Sequence, residues 1–397
     1  MTRLLEKYGS SLTSYDLLQE LTNGKRYAGG TGGLKSRQAM SLYGIRAREK
    51  VHPWSGGEIL IGADLDMAEM KNTQRTYSGA AAAGINGGLA ERVWNYPDTT
   101  LFSPYLALSQ TIGRSEGFHI VPSAGCRYFA HDPFENKAAS QAGLTLGYGN
   151  TDIRLNYARG VNYPSPVVVM NMVVTNSTVG NSSRYWANIK PETVNHYEVS
   201  LNHAWPEKAS LGITAFSDWG KDHFQAYMFG PVPAIFNDPI GKYEIRGLEL
   251  TGALTPTKTM EFFAGATWLE ARATGNNGIE RDYMPYPPAF QLQAGVAWTF
   301  LERFRLTLDV QHLEDVYGGT SARSGGFNYS ALSDSSRLPD ATLLNGRLGY
   351  RFHDKRLGLK DSEVFIAVNN ITDEDYEWAR GYRMPGATVF AGFSIKL

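Results

Sequence analysis

The clearest regularity along the chain is a period of two. Near the C-terminus Val389, Ala391, Phe393, Ile395 and Leu397 alternate with Thr388, Phe390, Gly392, Ser394 and Lys396. Leu344, Gly346, Leu348, Tyr350 and Phe352 alternate with Asn345, Arg347, Gly349 and Arg351, and Phe304, Leu306, Leu308 and Val310 with Arg305, Thr307, Asp309 and Gln311. Phe290, Leu292, Ala294, Val296, Trp298 and Phe300 do the same against Gln291, Gln293, Gly295, Ala297 and Thr299. Successive side chains of a strand point to opposite faces, so each segment predicts a strand with one apolar face and one mainly polar or small face. Marking every such segment gives fifteen strands, near 36–50, 57–69, 101–112, 118–127, 139–148, 151–160, 194–204, 209–218, 244–254, 259–270, 290–300, 304–312, 341–352, 362–371 and 387–397. Residues 3–13 give a weaker sixteenth. About ten residues is the length a tilted strand needs to cross a bilayer.

The connections fall into two alternating classes. Short ones such as 113–117, 205–208, 255–258 and 301–303 alternate with long ones such as 161–193, 219–243, 271–289 and 313–340. Short turns at one end and long loops at the other are the pattern of a transmembrane antiparallel β-barrel, and a soluble sandwich gives no reason for it. The expected fold is therefore all-β, a barrel of about 16 strands. Lipid demands that every backbone polar group be paired, while the lumen of a closed barrel stays wet; Arg154, Gln291, Gln293, Arg347 and Arg351 are thus expected to face the lumen. Trp205, Trp268, Phe300, Tyr317 and Phe352 lie near strand ends, where an interfacial girdle is expected.

Composition narrows the function classes. With 38 Lys+Arg against 39 Asp+Glu, the chain lacks the basic footprint of a nucleic-acid binder. No window offers the run of apolar residues a membrane helix needs, and a mean hydropathy of −0.31 suits strands of which only alternate residues meet lipid. The single Cys126 and the spacing of the eight histidines give no metal-ligand pattern; His196 and His203, seven apart on one strand, project to opposite faces. No cofactor is expected. Met1–Lys7 leads straight into mixed sequence, so the chain as written is expected to carry no signal peptide.

Four segments resemble the barrel of a TonB-dependent outer-membrane receptor. They are Val368–Tyr376 followed by Gly381–Thr388 and the last strand; Lys190-Pro191-Glu192 leading into Asn195–Val199; Tyr243–Leu250; and Leu343–Tyr350. The resemblance covers roughly residues 36–397, with residues 1–35 as a weak first strand and loop. Receptors of this type place a plug domain and an energy-coupling box ahead of about 22 strands. Neither is apparent in this sequence, which is expected to be the C-terminal barrel portion of a truncated receptor. The resemblance implies a bacterial outer-membrane location, contact with outer-membrane lipid, and uptake of a metal chelate such as a ferric siderophore. A partnership with the TonB complex would follow only if a plug is supplied.

Capture of such a ligand would use the long-loop side. Tyr185, Trp186, Trp219, His223, Tyr227, Arg281, Tyr283, Tyr286, Arg323, Tyr329, Trp378, Arg380, Tyr382 and Arg383 are the candidate ligand-binding residues there. Aromatic faces and Arg forks suit a planar anionic chelate through cation–π contact and charge-assisted hydrogen bonds. Two rivals come from other classes. A passive porin-like channel of about 16 strands would need no plug, and a barrel hydrolase could use Ser115 in Gly113-Arg114-Ser115-Glu116-Gly117. That elbow needs a strand-to-helix turn, whereas here it joins two strands, so no enzymatic activity is expected.

Overall fold

The computed structural model describes residues 34–77, 91–94, 98–114, 116–165, 169, 189–229, 232–237, 240–275, 280–282, 284, 287–317, 337–354, 358–379 and 382–396. Fifteen long strands dominate the described residues, in one antiparallel sheet whose members pair in chain order. They are β1 (Leu34–Val51), β2 (Gly57–Tyr77), β3 (Thr99–Gln110), β4 (Phe118–Asp132), β5 (Lys137–Tyr148), β6 (Thr151–Asn162), β7 (Glu192–Trp205) and β8 (Ala209–Lys221). β9 (Ile240–Thr257), β10 (Met260–Gly275), β11 (Phe290–Phe300), β12 (Phe304–Glu314), β13 (Ala341–Asp354), β14 (Leu359–Asn369) and β15 (Thr388–Ser394) complete the meander. The expected sixteenth strand, residues 3–13, lies outside the described residues.

Register explains why the period of two is so clean. Side chains directly opposite in an antiparallel pair share a face. The row Leu155, Val199, Ala215, Leu248, Trp268, Phe290 runs across six strands on one face. One residue along, Arg154, Ser200, Thr214, Glu249, Thr267 and Gln291 form the matching row on the other face. A slip of one residue would exchange the two rows, so an apolar solvent on one side fixes the pairing. Most of the large apolar side chains without cover, such as Ile153, Val199, Leu201, Leu211 and Ile366, stand on the first face. That face is built for lipid.

Aromatic residues bound this apolar band at both ends. At the short-turn end Trp298, Phe300, Phe304, Tyr350 and Phe352 form a chain of ring contacts 4.9–6.3 Å apart, and Trp205 meets His203 at 4.2 Å. At the other end Tyr157 meets Tyr197 at 5.1 Å and Trp268 meets Phe290 at 5.2 Å. Phe290 and Phe300 bound the band on β11; with the usual strand rise and a tilt near 40°, they are roughly 26 Å apart along the membrane normal. Trp205, Trp268, Phe300 and Phe352 thus belong to these belts. Tyr317 lies beyond β12, in a bridge with Arg337.

The alternation of connections also holds. The strand ends flanking 52–56, 111–117, 149–150, 206–208, 258–259, 301–303 and 355–358 lie at one end of the sheet, and those flanking 78–98, 163–191, 222–239, 276–289, 315–340 and 370–387 at the other. The exception is the connection between β4 and β5. The strands continue past the expected ends at 127 and 139 and leave only 133–136 between them.

Candidate ligand-binding surface

The polar face of the sheet carries the chemistry. Arg127 on β4 donates to Asp64 Oδ2 on β2 and to Ser103 Oγ on β3, both at 2.6 Å, and its guanidinium lies 5.2 Å from the ring centres of Tyr105 and Phe129. Asp64 is buried and Ser103 fully so. Beside this cluster, the row Ala107, Gly125, Gln141, Ala158 forms a floor of mostly small residues. Gly125 keeps it open, because a Cβ there would meet Gln141 Nε2 at 3.0 Å and Ala107 Cβ at 3.2 Å. The result is a hollow of about 250 Å³ whose lining includes Tyr105, Arg127, Gln141 and Ala158.

Further round, His196 Nδ1 lies 2.7 Å from Asp218 Oδ1, and Asn156 donates to Glu198 at 3.0 Å. Arg347 on β13 makes a bidentate pair with Glu363 on β14 at 2.9 and 3.0 Å, with its guanidinium 4.2 Å from the Phe365 ring centre. Arg351 stands directly opposite Glu363 in the register. Gln293 is opposite Gln311 and Gly265. The five residues expected to face the lumen therefore all share the polar face, though they are spread along and around it rather than gathered at one point.

At the long-loop rim four elements meet on one carboxylate. Glu192, which opens β7, is buried; Tyr243 Oη on β9 donates to its Oε1 at 2.8 Å, Asn162 at the end of β6 donates to Oε2 at 3.1 Å, and His223 Nδ1 lies 2.8 Å from Oε1. His223 also meets Tyr243 edge to face at 5.6 Å. Pro191 just before it is fully buried, which fixes the entry of the strand. Glu192 lies five residues beyond the belt residue Tyr197, outside the membrane. Burial pushes its pKa up, but hydrogen bonds from His223, Asn162 and Tyr243 outweigh that and hold the carboxyl below its ordinary range. Burial and then the charge of Glu192 push the Tyr243 phenol up.

The sign of the linkage follows from a lowered carboxyl. Its stabilisation is present above the unfolded pKa near 4.5 and is lost as pH falls through the lower folded value. Glu192→Gln is expected to increase hydrogen exchange across 221–243, after correction for intrinsic rates, by the ~1–3 kcal/mol of a buried acceptor lost. Acidifying the parent protein below about pH 4.5 should move it towards the same behaviour. Equal exchange in parent and variant at pH 7 would refute the stabilising role of the Glu192 carboxylate.

Of the fourteen candidate ligand-binding residues, Tyr185, Trp186, Tyr283, Tyr286, Arg323, Tyr329 and Arg380 lie outside the described residues. His223 is engaged with Glu192. Trp219 is on the apolar face, opposite Asn195 and Glu244, and belongs with the outer belt rather than with the polar face. Tyr227 lies in a small hairpin, Phe224–Phe229 with Val232–Asn237, and Arg281 in the two-residue strand Glu280–Arg281 beside β10. Trp378, Tyr382 and Arg383 share another hairpin, Glu377–Ala379 with Tyr382–Arg383, where Trp378 meets Tyr376 at 5.6 Å and Arg383 pairs with Asp375 at 3.3 Å. Ser115 lies outside the described residues.

Sequence reasoning passed over Arg127 and the rim cluster of Phe129, His131, Phe134 and Tyr163, where His131 stacks on Tyr163 at 4.4 Å. The one available signal was the aromatic run Tyr128-Phe129 next to Arg127, which breaks the alternation.

An antiparallel meander with a lipid-type face, a polar face, two aromatic belts and long connections at one end defines a transmembrane β-barrel protein. Residues 6–371 match the family model described as "TonB dependent receptor-like, beta-barrel", and the chain belongs to that family. Its members are receptors of the bacterial outer membrane. Similar solved structures include the copper transporter OprC (12% identity, TM-score 0.62, covering 90% of this chain and 56% of that one) and the ferric citrate transporter FecA (15%, 0.62, 92% and 56%). The siderophore receptor PirA from Acinetobacter baumannii is similar as well (13%, 0.61, 90% and 55%). The chain thus spans little more than half the length of these receptors, and at such identities the likeness is one of fold. No curated protein sequence matches it.

Proposed function

We propose that this chain is the barrel part of a longer TonB-dependent receptor that takes up a metal chelate, with a ferric siderophore as the cargo. The observation that carries the reading is the family match across residues 6–371. The polar face supports it, since Arg127 with Tyr105 and Phe129 beside an open hollow offers a cation and flat rings to an anionic chelate. Coupling to TonB would belong to a plug domain outside this sequence, with residues 36–397 as the barrel. Passive conduction and catalysis at Ser115 draw no support from this family.

Binding can be followed by quenching of Trp fluorescence in the detergent-refolded chain, titrated with ferric catecholates, ferric hydroxamates, ferric citrate and copper complexes. Saturable quenching by an iron chelate, weakened at least tenfold by Arg127→Met, is the expected result. Preference for a copper complex would replace iron as the cargo, and no saturable quenching by any chelate would overturn the proposal.

A further inference from the structure

β5 and β6 separate near the long-loop rim. Their ladder runs from Tyr148–Thr151 up to Gln141–Ala158 and stops there, although β5 reaches Lys137 and β6 reaches Asn162. Each strand keeps its other neighbour beyond that point, for β4 pairs with β5 up to Phe129–Lys137 and β6 with β7 up to Asn162–Glu192. A cleft is left in the wall between 137–140 and 159–162. It is bridged above by the Tyr163 hydroxyl, which donates to the Glu135 carbonyl at 2.8 Å.

Arg159 stands at the edge of this cleft. It lies opposite Asn195 on the outer face, two residues beyond the belt residue Tyr157, whose hydroxyl donates to Asn195 Oδ1 at 3.1 Å. With the usual strand rise and tilt, two residues place it about 5 Å further along the membrane normal, at the depth of lipid headgroups. Other outer-face arginines at this end are paired, Arg246 with Glu244 at 2.6 Å and Arg272 with Glu270 at 2.8 Å. Arg159 has no such partner among the described residues, and its Nε is shut off from solvent with nothing accepting from it. An unmet buried donor costs about 1–3 kcal/mol. The residue as a whole is only partly buried, so a ligand reaches the guanidinium by a turn of the side chain.

Just below the cleft the outer face is hollowed. Ala142, Tyr157, Tyr197 and Ser217 follow one another across four strands in one row, and Val199 and Ala215 lie in the row beneath. The small side chains leave an apolar groove of about 640 Å³, which begins one residue below the last pair of the β5–β6 ladder.

We propose that cleft and groove together bind one membrane lipid with an anionic phosphate headgroup. The phosphate accepts hydrogen bonds from Arg159 in the cleft, and an acyl chain lies in the groove beneath it. The order of polarity along the membrane normal carries this assignment: a cation at headgroup depth, amphipathic Tyr157 and Tyr197 next, then an apolar groove in the hydrocarbon. A soluble anion would meet the need of Arg159 and leave the groove unexplained. A purely apolar molecule would fill the groove and leave Arg159 unpaired.

Native mass spectrometry of the refolded, delipidated full chain tests this, with titrations of phosphatidylglycerol, of diacylglycerol with the same chains, and of inorganic phosphate. Each variant is first checked for its heat-shifted band, so that lost binding is not lost folding. The parent should retain one phosphatidylglycerol. Arg159→Gln should weaken that binding about tenfold or more. Ala215→Phe, which fills the groove and leaves the cation in place, should weaken it as well. Arg246→Gln, on the same face but already paired, should leave it unchanged. Equal affinity in the parent, Arg159→Gln and Ala215→Phe overturns the proposal. So does diacylglycerol held as tightly as phosphatidylglycerol, which would make this a groove for any apolar chain. Displacement of the lipid by inorganic phosphate also overturns it, by showing a site for a free anion.

Discussion

Leu201→Arg is expected to destabilise the assembled barrel by about 2–4 kcal/mol, whereas Asn202→Arg, one residue along, should cost less than about 1 kcal/mol. Leu201 lies between Ile153 and Ile213 on the apolar face, halfway between the belt residues Tyr197 and Trp205. A guanidinium there sits in hydrocarbon and is too far from either interface to reach water cheaply. Asn202 is on the polar face, opposite Asp152 and Gly212, and already donates to Asp152 at 3.3 Å. The comparison is made by urea unfolding in lipid vesicles, with the heat-shifted band on gels as the readout. Similar losses for both variants would refute the assignment of the two faces, and with it the membrane topology.

Arg127→Ala is expected to cost about 3 kcal/mol, the low end for breaking a buried pair, because the Arg127 side chain keeps 34% of its surface exposed. The loss comes mainly from what stays behind. Asp64 would remain as a buried carboxylate, and the fully buried Ser103 Oγ would lose its 2.6 Å donor. The double variant Asp64→Asn with Arg127→Met should therefore be more stable than Arg127→Ala alone, since no charge is then left unpaired. A double variant at least as unstable as the single one would show that Arg127 contributes chiefly by packing against Tyr105 and Phe129. The same urea assay in vesicles distinguishes these results.

The fold was legible because a bilayer imposes two different solvents on the two faces. Between Phe290 and Gln311 one face meets lipid and the other a wet interior, and expected and observed strands agree to within two residues. The alternation fades where both faces meet water. β2 runs on to Tyr77 and β4 to Asp132, past the ends expected near 69 and 127, because nothing above the aromatic belt requires one face to be apolar. The clusters around Glu192 and Arg127 could not be read for a different reason. Glu192 and Tyr243 are 51 residues apart, and Arg127 and Asp64 are 63 apart. Their meeting depends on the register of strands between them, which no local pattern encodes. Lys190-Pro191-Glu192 was recognisable as a family signature, but its carboxylate's partners were not.

Because, among the described residues, each long strand pairs with its neighbours in sequence, the sheet is a string of hairpins. Excising Phe290–Glu314 would remove β11 and β12 together, and the strands left facing each other, β10 and β13, would still run in opposite directions. Removing a single strand would turn every later one upside down and carry its loops to the wrong side of the membrane. Such a molecule can gain or lose circumference over evolution only two strands at a time, and each step leaves the remaining pairs and the two rims as they were.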